Sequence, residues 1–288
     1  MEIQVEGVCA AYGRRRVLHD VDWMVRPGVT GLLGPNGSGK TTLLSVLIGL
    51  LRPTHGSVTV HSDGASGSAR LVVHGEHKND VEDARDGTRV RFGFVPQRWS
   101  VAGHMRVVDV VAYTAWVNGM PPRECGPAAY TALQEVALTN QAKDRVRTLS
   151  GGQRQRLGIA AGLAHDPEVL VLDEPTVGLD PAQRWRVRDM VAEIGRTRTV
   201  VLSSHLLDEI AHLSDRVGVL AAGRLVFDGT VAELERHATG HGSADGGGDG
   251  DGLPGAIHGI VGGEVGAVRR SPIERGYERL LASVEAAE

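Results

Sequence analysis

The chain has 288 residues, of which 41% are hydrophobic and 23% are charged, close to the averages of soluble globular proteins, so wholesale disorder is excluded. Its 31 lysine and arginine residues against 35 aspartate and glutamate residues give a net charge of −4. This balance excludes a general basic surface for nucleic acid. We therefore expect no nucleic-acid partner, and any anion site must be local.

Cysteine usage and apolar runs narrow the class of protein further. Cys9 and Cys125 are too few for a disulfide framework or a cysteine-based zinc site, which is typical of proteins from a reducing cytosol. The first residues lack the features of a secretory signal. The apolar runs over 43–51 and 107–117 are shorter than the roughly 20 residues that cross a bilayer. We expect a chain without a membrane span.

The first third of the chain predicts strands around one helix. Residues 1–30 alternate apolar and polar side chains, which favours short antiparallel strands. Val29–Leu33 then predicts a buried strand that leads through a glycine-rich turn into a helix over residues 40–50. Ser57–Val60 and Leu71–Val73 predict a further hairpin.

The middle of the chain predicts a helical segment followed by a parallel sheet. Residues 107–147 have helical spacing, with breaks predicted at Gly119–Pro122 and near Gly126–Pro127. Val169–Leu172 and Thr199–Leu202 are continuous apolar runs separated by a helical stretch, as in parallel strands that are buried on both faces. A doubly wound α/β sheet follows from this pattern.

The end of the chain divides into a linker and an extension. Residues 238–254 are rich in glycine and aspartate and predict a flexible linker. Within the C-terminal extension, residues 255–288, one helix is predicted to have an apolar side, so it either docks back on the domain or binds a partner. The apolar residues on that side are Ile273, Tyr277, Leu280, Leu281 and Val284.

The glycine-rich turn matches the pattern G-x-x-x-x-G-K-[ST] between a strand and a helix. Glycines let successive backbone N–H groups turn toward phosphates, and the helix N-terminus adds positive potential. Lys40 is placed to reach the β and γ phosphates, Thr41 to ligate Mg²⁺, and Thr42 to support the loop. The alternative, a surface turn with a chance lysine, is disfavoured by this setting. The predicted nucleotide-binding residues are Gly34, Pro35, Asn36, Gly37, Ser38, Gly39, Lys40, Thr41 and Thr42.

Two carboxylates follow the apolar run Val169–Leu172, at the strand end where open α/β sheets bind ligands. Asp173 is expected to hold Mg²⁺, and Glu174, one residue further, to orient or deprotonate the water that attacks the γ phosphate. Alone, such a pair would more often belong to a solvated loop. The phosphate loop upstream favours the catalytic interpretation.

Between these two motifs lies Leu149-Ser150-Gly151-Gly152-Gln153, which matches the signature of the ATP-binding cassette (ABC) ATPases and is called the signature below. With it, the chain resembles an ABC ATPase over residues 1–237. The resemblance implies a P-loop NTPase core with an N-terminal antiparallel β subdomain. It also implies an α-helical subdomain inserted at residues 98–150. The ligands would be ATP and Mg²⁺, and the reaction ATP hydrolysis.

The same resemblance implies roles for four further residues. Tyr12 would stack on adenine, although it is also consistent with a strand-turn tyrosine. Gln97 would contact Mg²⁺ or the attacking water and link the site to the helical segment. His205 would contact the γ phosphate and support Glu174. Asp180 would lie in a loop between two cassettes, or would simply cap the helix that follows.

The resemblance also implies a dimer, in which a second subunit, identical or similar, completes each ATP site. Ser150, the N–H groups of Gly151 and Gly152, and Gln153 would form an anion cradle that faces the partner's ATP. Two cassettes would thus enclose two ATP molecules, each between one chain's phosphate loop and the other chain's signature.

The partner that the resemblance implies is a transmembrane permease at the cytoplasmic face of the plasma membrane. Residues 98–147 would form its docking groove, and candidate contacts that also suit core packing are Trp99, Met105, Tyr113 and Trp116. The pattern over residues 205–234 resembles exporters of drugs, antibiotics or lipids. Two alternatives stay open: a non-transport cassette that regulates a ribosome- or DNA-associated partner, and a regulatory subunit.

The sequence departs from the family pattern at residues 61–91, a long polar insertion that is a candidate determinant of partner specificity. Within it, His74 and His77 suggest a metal site, but the further ligands and the helix of a zinc site are missing from the pattern. We expect no metal there.

Overall fold

The structure is a computed structural model that describes residues 1–61, 69–74, 81–83, 90–214, 216–239 and 271–285. Its strands are β1 (Glu2–Tyr12), β2 (Arg15–Val25), β3 (Gly28–Leu33), β4 (His55–His61), β5 (Ala69–His74), β6 (Val81–Asp83), β7 (Phe92–Val95), β8 (Val169–Asp173), β9 (Thr199–Ser204), β10 (Arg216–Ala221) and β11 (Arg224–Thr230). Its α-helices are α1 (Lys40–Leu47), α2 (Val107–Val117), α3 (Pro122–Glu135), α4 (Gly151–Leu163), α5 (Pro181–Gly195), α6 (Leu207–Leu213), α7 (Val231–Thr239) and α8 (Pro272–Glu285).

The strands form two sheets. The first is antiparallel, in the order β2-β1-β4-β5-β6, and the second has the order β11-β10-β3-β9-β8-β7. In the second sheet β11 pairs antiparallel at the edge and the other neighbours pair in parallel. Every residue of β8 and β9 is buried, as the continuous apolar runs predict. The predicted α/β core with an N-terminal antiparallel β sheet is confirmed.

Helix α1 is held by a core that joins the two sheets. Its Leu43 and Leu47 share this core with Val5 of β1 and Val171 of β8. The alternating pattern of β1 and β2 places their apolar side chains on this inner face. The loop that precedes α1 is therefore anchored on both sides by buried packing.

The helical segment consists of α2, α3 and two 3₁₀ turns, Thr139–Gln141 and Val146–Thr148. The predicted break at Gly119–Pro122 separates α2 from α3, but the break predicted near Gly126–Pro127 is wrong, because α3 continues through Pro127. Pro127 is exposed, while the opposite side of α3 buries an apolar face that includes Leu133. Burial of that face outweighs the single helical hydrogen bond that proline removes.

The C-terminal extension contains α8, which packs on α7 and also contacts α6, β10 and β11. Ile273 is buried, and Tyr277 and Leu280 pack against the main core, so the extension docks back on the domain. The predicted linker lies outside the described residues beyond Thr239. So do 62–68, 75–80 and 84–89 of the polar insertion, with His77 among them, whereas His74 ends β5. None of the described helices combines the length and apolar character needed to span a membrane.

Candidate nucleotide-binding site

The phosphate loop connects the end of β3 to the first residue of α1 through a backbone that only glycine suits. Gly37 and Gly39 have φ values of +83° and +105°, in the left-handed region. A Cβ atom at Gly34 would overlap the carbonyl oxygen of Leu220 on β10. A Cβ atom at Gly37 would meet nothing within 4 Å, so the loop is tightly packed at its start and open at its tip.

Lys40 is buried at the base of this loop. Its Nζ donates hydrogen bonds to the carbonyl oxygens of Gly34, at 2.8 Å, and Pro35, at 3.1 Å. Burial lowers the pKa of Lys40 below its usual value, while the nearby carboxylates of Glu174 and Asp173 oppose this shift. The ammonium group therefore lies desolvated inside the loop, where it can exchange carbonyl oxygens for phosphate oxygens.

Asp173, at the end of β8, receives hydrogen bonds on both of its carboxylate oxygens. The Thr41 hydroxyl donates to Oδ2 at 2.8 Å, and the Ser203 hydroxyl donates to Oδ1 at 2.5 Å. The same Ser203 oxygen accepts the backbone N–H of Glu174 at 2.9 Å. Ser203 thus orients both acidic residues, although the sequence did not single it out. Its only signal is its place in a serine pair at the end of a buried strand.

Glu174 is the centre of a cluster of polar side chains. Gln97 Nε2 donates to Glu174 Oε2 at 2.8 Å, and Lys40 Nζ lies 3.7 Å from Oε1. His205 Nδ1 lies 3.4 Å from the same Oε1. Glu174 itself is 8% exposed and has a φ of +47°, which is unfavourable for a residue with a side chain. Such backbone strain is frequent at functional sites.

These residues open on a cleft of about 540 Å³. Two apolar residues that the sequence did not single out, Val17 of β2 and Val177, contribute to its lining. The other lining residues are Asn36, Gly37, Gly39, Lys40, Thr41, Thr42, Gln97, Glu174 and His205. The hydroxyl of Ser38 is buried, and it has no hydrogen-bond partner within the part of the chain that the structure describes. A buried polar atom without a partner at a phosphate loop suits an anionic ligand.

The signature residues form a surface that we call the signature edge, and none of them is among the residues that line the cleft. Gly151 lines a neighbouring pocket that shares Gln97 and Val177 with the cleft. Ser150 caps α4: its hydroxyl accepts the N–H of Gln153 at 3.2 Å, and its own N–H donates to the Gln153 side chain at 2.8 Å. Gly151 is exposed, with open space around a Cβ atom. Gly152 is buried, and a Cβ atom there would overlap the side chain of Gln183 on α5.

Tyr12 and Asp180 also lie outside the cleft lining. Tyr12 ends β1 and is 55% exposed, opposite Arg15 across the hairpin. Asp180 caps α5, where its Oδ1 accepts the N–H of Gln183 at 2.9 Å. The capping role that the sequence left open for Asp180 is thus present. A role for either residue in contact with ATP or with a second cassette stays a prediction.

Comparison with known proteins agrees with this geometry. The family described as ABC transporter matches residues 18–177. The linearmycin resistance ATP-binding protein LnrL of Bacillus subtilis is 32% identical over 234 residues, which are 81% of this chain and 70% of that protein. The daunorubicin resistance ATP-binding protein DrrA3 of Streptomyces coeruleorubidus is 36% identical over 240 residues, 83% of this chain and 71% of that protein.

The fold is also similar to a dimeric ATP-binding cassette in a post-hydrolysis state with ADP and Pi, at a TM-score of 0.64 and 23% identity. That similarity covers 79% of this chain and 98% of the other. The family match spans more than half of the chain and includes the phosphate loop, the signature and both acidic residues. The chain therefore belongs to the ABC transporter family, as an ATP-binding and ATP-hydrolysing protein that acts with a transmembrane partner.

Proposed function

We propose that the chain is the ATPase subunit of an exporter, and that Glu174 is its catalytic base. The observation that carries this proposal is the convergence of Lys40, Gln97 and His205 on the Glu174 carboxylate. A carboxylate so placed at the mouth of a phosphate loop can accept a proton from the attacking water. Gln97 then orients the water, and His205 contacts the γ phosphate.

Mg²⁺ fits the same cleft. Thr41 and Asp173 already approach each other at 2.8 Å, so their oxygens converge on one point beside the phosphate loop. Hydroxyl and carboxylate oxygens are ligands that Mg²⁺ prefers. Thr41, Asp173 and Gln97 would hold the ion. When bound, Mg²⁺ neutralises charge on the β and γ phosphates.

We infer that each ATP is enclosed by two chains. The signature helix begins at an N-terminus where Ser150 and Gly151 are exposed, and neither residue lines the cleft of the same chain. Such a helix N-terminus attracts anions through its N–H groups and its dipole. The phosphate that this helix N-terminus contacts would belong to an ATP bound to a second copy of the chain. The two copies would then form a head-to-tail homodimer.

Subunit mixing tests this arrangement. Lys40→Ala removes the ammonium group that would bind phosphate in one chain. Gly151→Asp places a carboxylate on the signature of the other chain without a steric clash in its own chain. Neither variant alone can form a competent site. Mixed dimers contain one site with an intact loop and an intact signature, so a 1:1 mixture should recover about a quarter of the wild-type rate.

Gly151→Ala is the control for the mixing experiment, because it adds a side chain without charge and should retain most of the activity. Lys40→Ala mixed with Lys40→Ala, Glu174→Gln is the second control and should recover nothing. If Gly151→Asp alone keeps the wild-type rate, or the first mixture stays inactive while dimers form, the shared site is wrong.

We propose that a cytoplasmic helix of the permease binds the groove between β7, α2 and α4. This groove has a volume of about 640 Å³, and its mainly apolar lining includes Phe94, Trp99, Met105 and Tyr113. Trp99 and Met105 also pack against the core, whereas Tyr113 and the neighbouring Trp116 are exposed. Exposed aromatic residues beside an apolar groove are typical of a protein interface.

Copurification from membranes tests the permease partner. The tagged chain should recover a membrane-embedded permease, and Tyr113→Arg should abolish the recovery without changing the ATPase rate of the isolated chain. Trp185→Ala is the matched control, since Trp185 is an exposed aromatic residue on α5, outside the groove. Recovery of ribosomes or DNA in place of a permease would contradict the exporter role.

The resistance proteins that the chain resembles favour a drug, antibiotic or lipid-like compound as cargo. We place the chain at the cytoplasmic face of the plasma membrane, held there by its permease. Transport in inverted vesicles that contain both subunits would test the direction in which the compound moves. The Lys40→Ala variant should abolish this transport.

A further inference from the structure

Strand β9 ends in two serines that serve two different carboxylates. Successive side chains of a strand point to opposite faces, so Ser203 reaches Asp173 in the cleft and Ser204 reaches Glu209 on α6. The Ser204 hydroxyl donates to Glu209 Oε2 at 2.9 Å. The same hydroxyl oxygen accepts the backbone N–H of Leu206 at 3.0 Å.

These two hydrogen bonds hold the residues on either side of His205. Ser204 and Leu206 flank the histidine, and the bond between them closes the turn that presents its ring. Because Glu209 holds the hydroxyl proton, the lone pairs of the Ser204 oxygen remain directed at the Leu206 N–H. Hydrogen bonds to a charged acceptor are stronger than neutral ones, so the carboxylate fixes this turn more firmly than the hydroxyl alone would.

The position of Glu209 is itself restrained. Glu209 is only 3% exposed, and its Oε1 has no hydrogen-bond partner among the described residues. Its neighbour Ile210 packs so closely on β3 that a Cβ atom at Gly31 would lie 2.6 Å from it. A buried carboxylate with one hydrogen bond is unfavourable for stability. Among the described residues, the side chain of Glu209 has one hydrogen-bond partner, the hydroxyl that shapes the His205 turn.

We propose that Glu209 is a positioning residue for His205, acting through Ser204. The proposal rests on the role of His205 at the γ phosphate given above. Glu209 fixes the turn from β9, and the turn fixes the distance of 3.4 Å between His205 Nδ1 and Glu174 Oε1. Loss of the carboxylate would let the ring move relative to Glu174 and the γ phosphate without changing either group.

The test is a double-mutant cycle on the full chain. Glu209→Ala should lower kcat about tenfold and leave KM for ATP within about twofold, since a hydrogen bond to a charged group is lost behind the histidine. Ser204→Ala should act similarly, and the two together should not be additive. In a His205→Ala background, Glu209→Ala should change kcat by less than about twofold.

Glu209→Gln keeps an acceptor for Ser204 and should recover most of the rate, which separates positioning from misfolding. Asp208→Asn is the matched control, because it removes an exposed carboxylate from the same helical turn. An additive effect of Glu209→Ala in the His205→Ala background, or a normal kcat in Glu209→Ala, would overturn this inference and leave the proposed role of His205 intact. A normal kcat in His205→Ala would overturn the role of the histidine, and with it this inference.

Discussion

The phosphate cleft and the signature edge of this molecule use polar side chains in opposite ways. In the cleft, groups from α1, β8 and β9 contact one another, and Asp173 and Glu174 are both buried. At the signature, Ser150 and Gln153 form reciprocal hydrogen bonds between backbone and side chain, at an exposed helix end. The first site is preorganised within one chain, and the second presents a surface.

If two chains enclose each ATP as proposed, this difference explains why one chain would bind ATP but need a second surface to hydrolyse it efficiently. The cleft and the residues beneath it supply the lysine, the hydroxyl and the two acids, and a Cβ atom at Gly37, at the tip of the phosphate loop, would meet nothing within 4 Å. The signature supplies N–H groups with a helix dipole, but it does not line the cleft of its own chain. ATP would favour the state in which the cleft of one chain closes against the signature of another.

Glu174→Gln should give the largest effect. The amide cannot accept a proton from water, so we expect kcat to fall by about 10²–10⁴-fold while ATP affinity stays within about threefold. In the presence of ATP, the variant should then accumulate as an ATP-bound dimer, which light scattering detects. Glu193→Gln, which replaces an exposed carboxylate on α5, should behave as wild type. Unchanged turnover in Glu174→Gln would remove Glu174 from its role and assign the proton transfer to another group.

Ser203→Ala should come next, because the hydroxyl orients Asp173 and the backbone of Glu174 together. Removing a group that orients a metal ligand typically lowers metal affinity or activity by about 10–100-fold. We expect a higher Mg²⁺ requirement in ATPase titrations and a lower kcat. Ser214→Ala is the control, since this buried hydroxyl donates to Ile210 outside the cleft. Equal effects of the two variants would mean that the cleft network is only structural.

Much of the cleft could be predicted from the sequence, because its parts are local. The phosphate loop needs glycine at positive φ, and the strand, loop and helix that form it are consecutive. Asp173 and Glu174 follow a run of apolar residues whose burial fixes where the strand ends. The α/β core follows from such runs, since only strands buried on both faces can be apolar throughout.

Other features depend on pairing between distant segments and could not be predicted. Ser203 meets Asp173 because β8 and β9 pair in parallel in that register. The strained backbone of Glu174 is stabilised by Ser203, which lies far along the chain. Pro127 remains helical because the buried face of α3, rather than local propensity, decides its conformation. In each case the neighbours across space, and not the local sequence, determine the structure.

Ser150→Ala tests the signature edge with a smaller expected effect. The variant removes the cap of α4 and should lower the free energy of unfolding by about 1 kcal/mol. Ser271→Ala is a matched control, since Ser271 and Glu274 form the same kind of cap at α8. Both variants should lose similar stability in denaturant titrations, but only Ser150→Ala should also lower the ATPase rate, by several-fold. If the two variants had similar ATPase rates, the role of Ser150 would be restricted to capping α4.

Tyr12→Ala should have the smallest effect, because an exposed ring offers adenine one contact, whereas the phosphates meet a buried network. Stacking contributes about 1 kcal/mol, so the KM for ATP should rise about fivefold with kcat unchanged. Tyr12→Phe keeps the ring and should match the wild type, and neither variant should change the melting temperature. An equal rise in KM for inorganic triphosphate, which has no base to stack, would show that Tyr12 acts on the phosphate cleft and not on adenine.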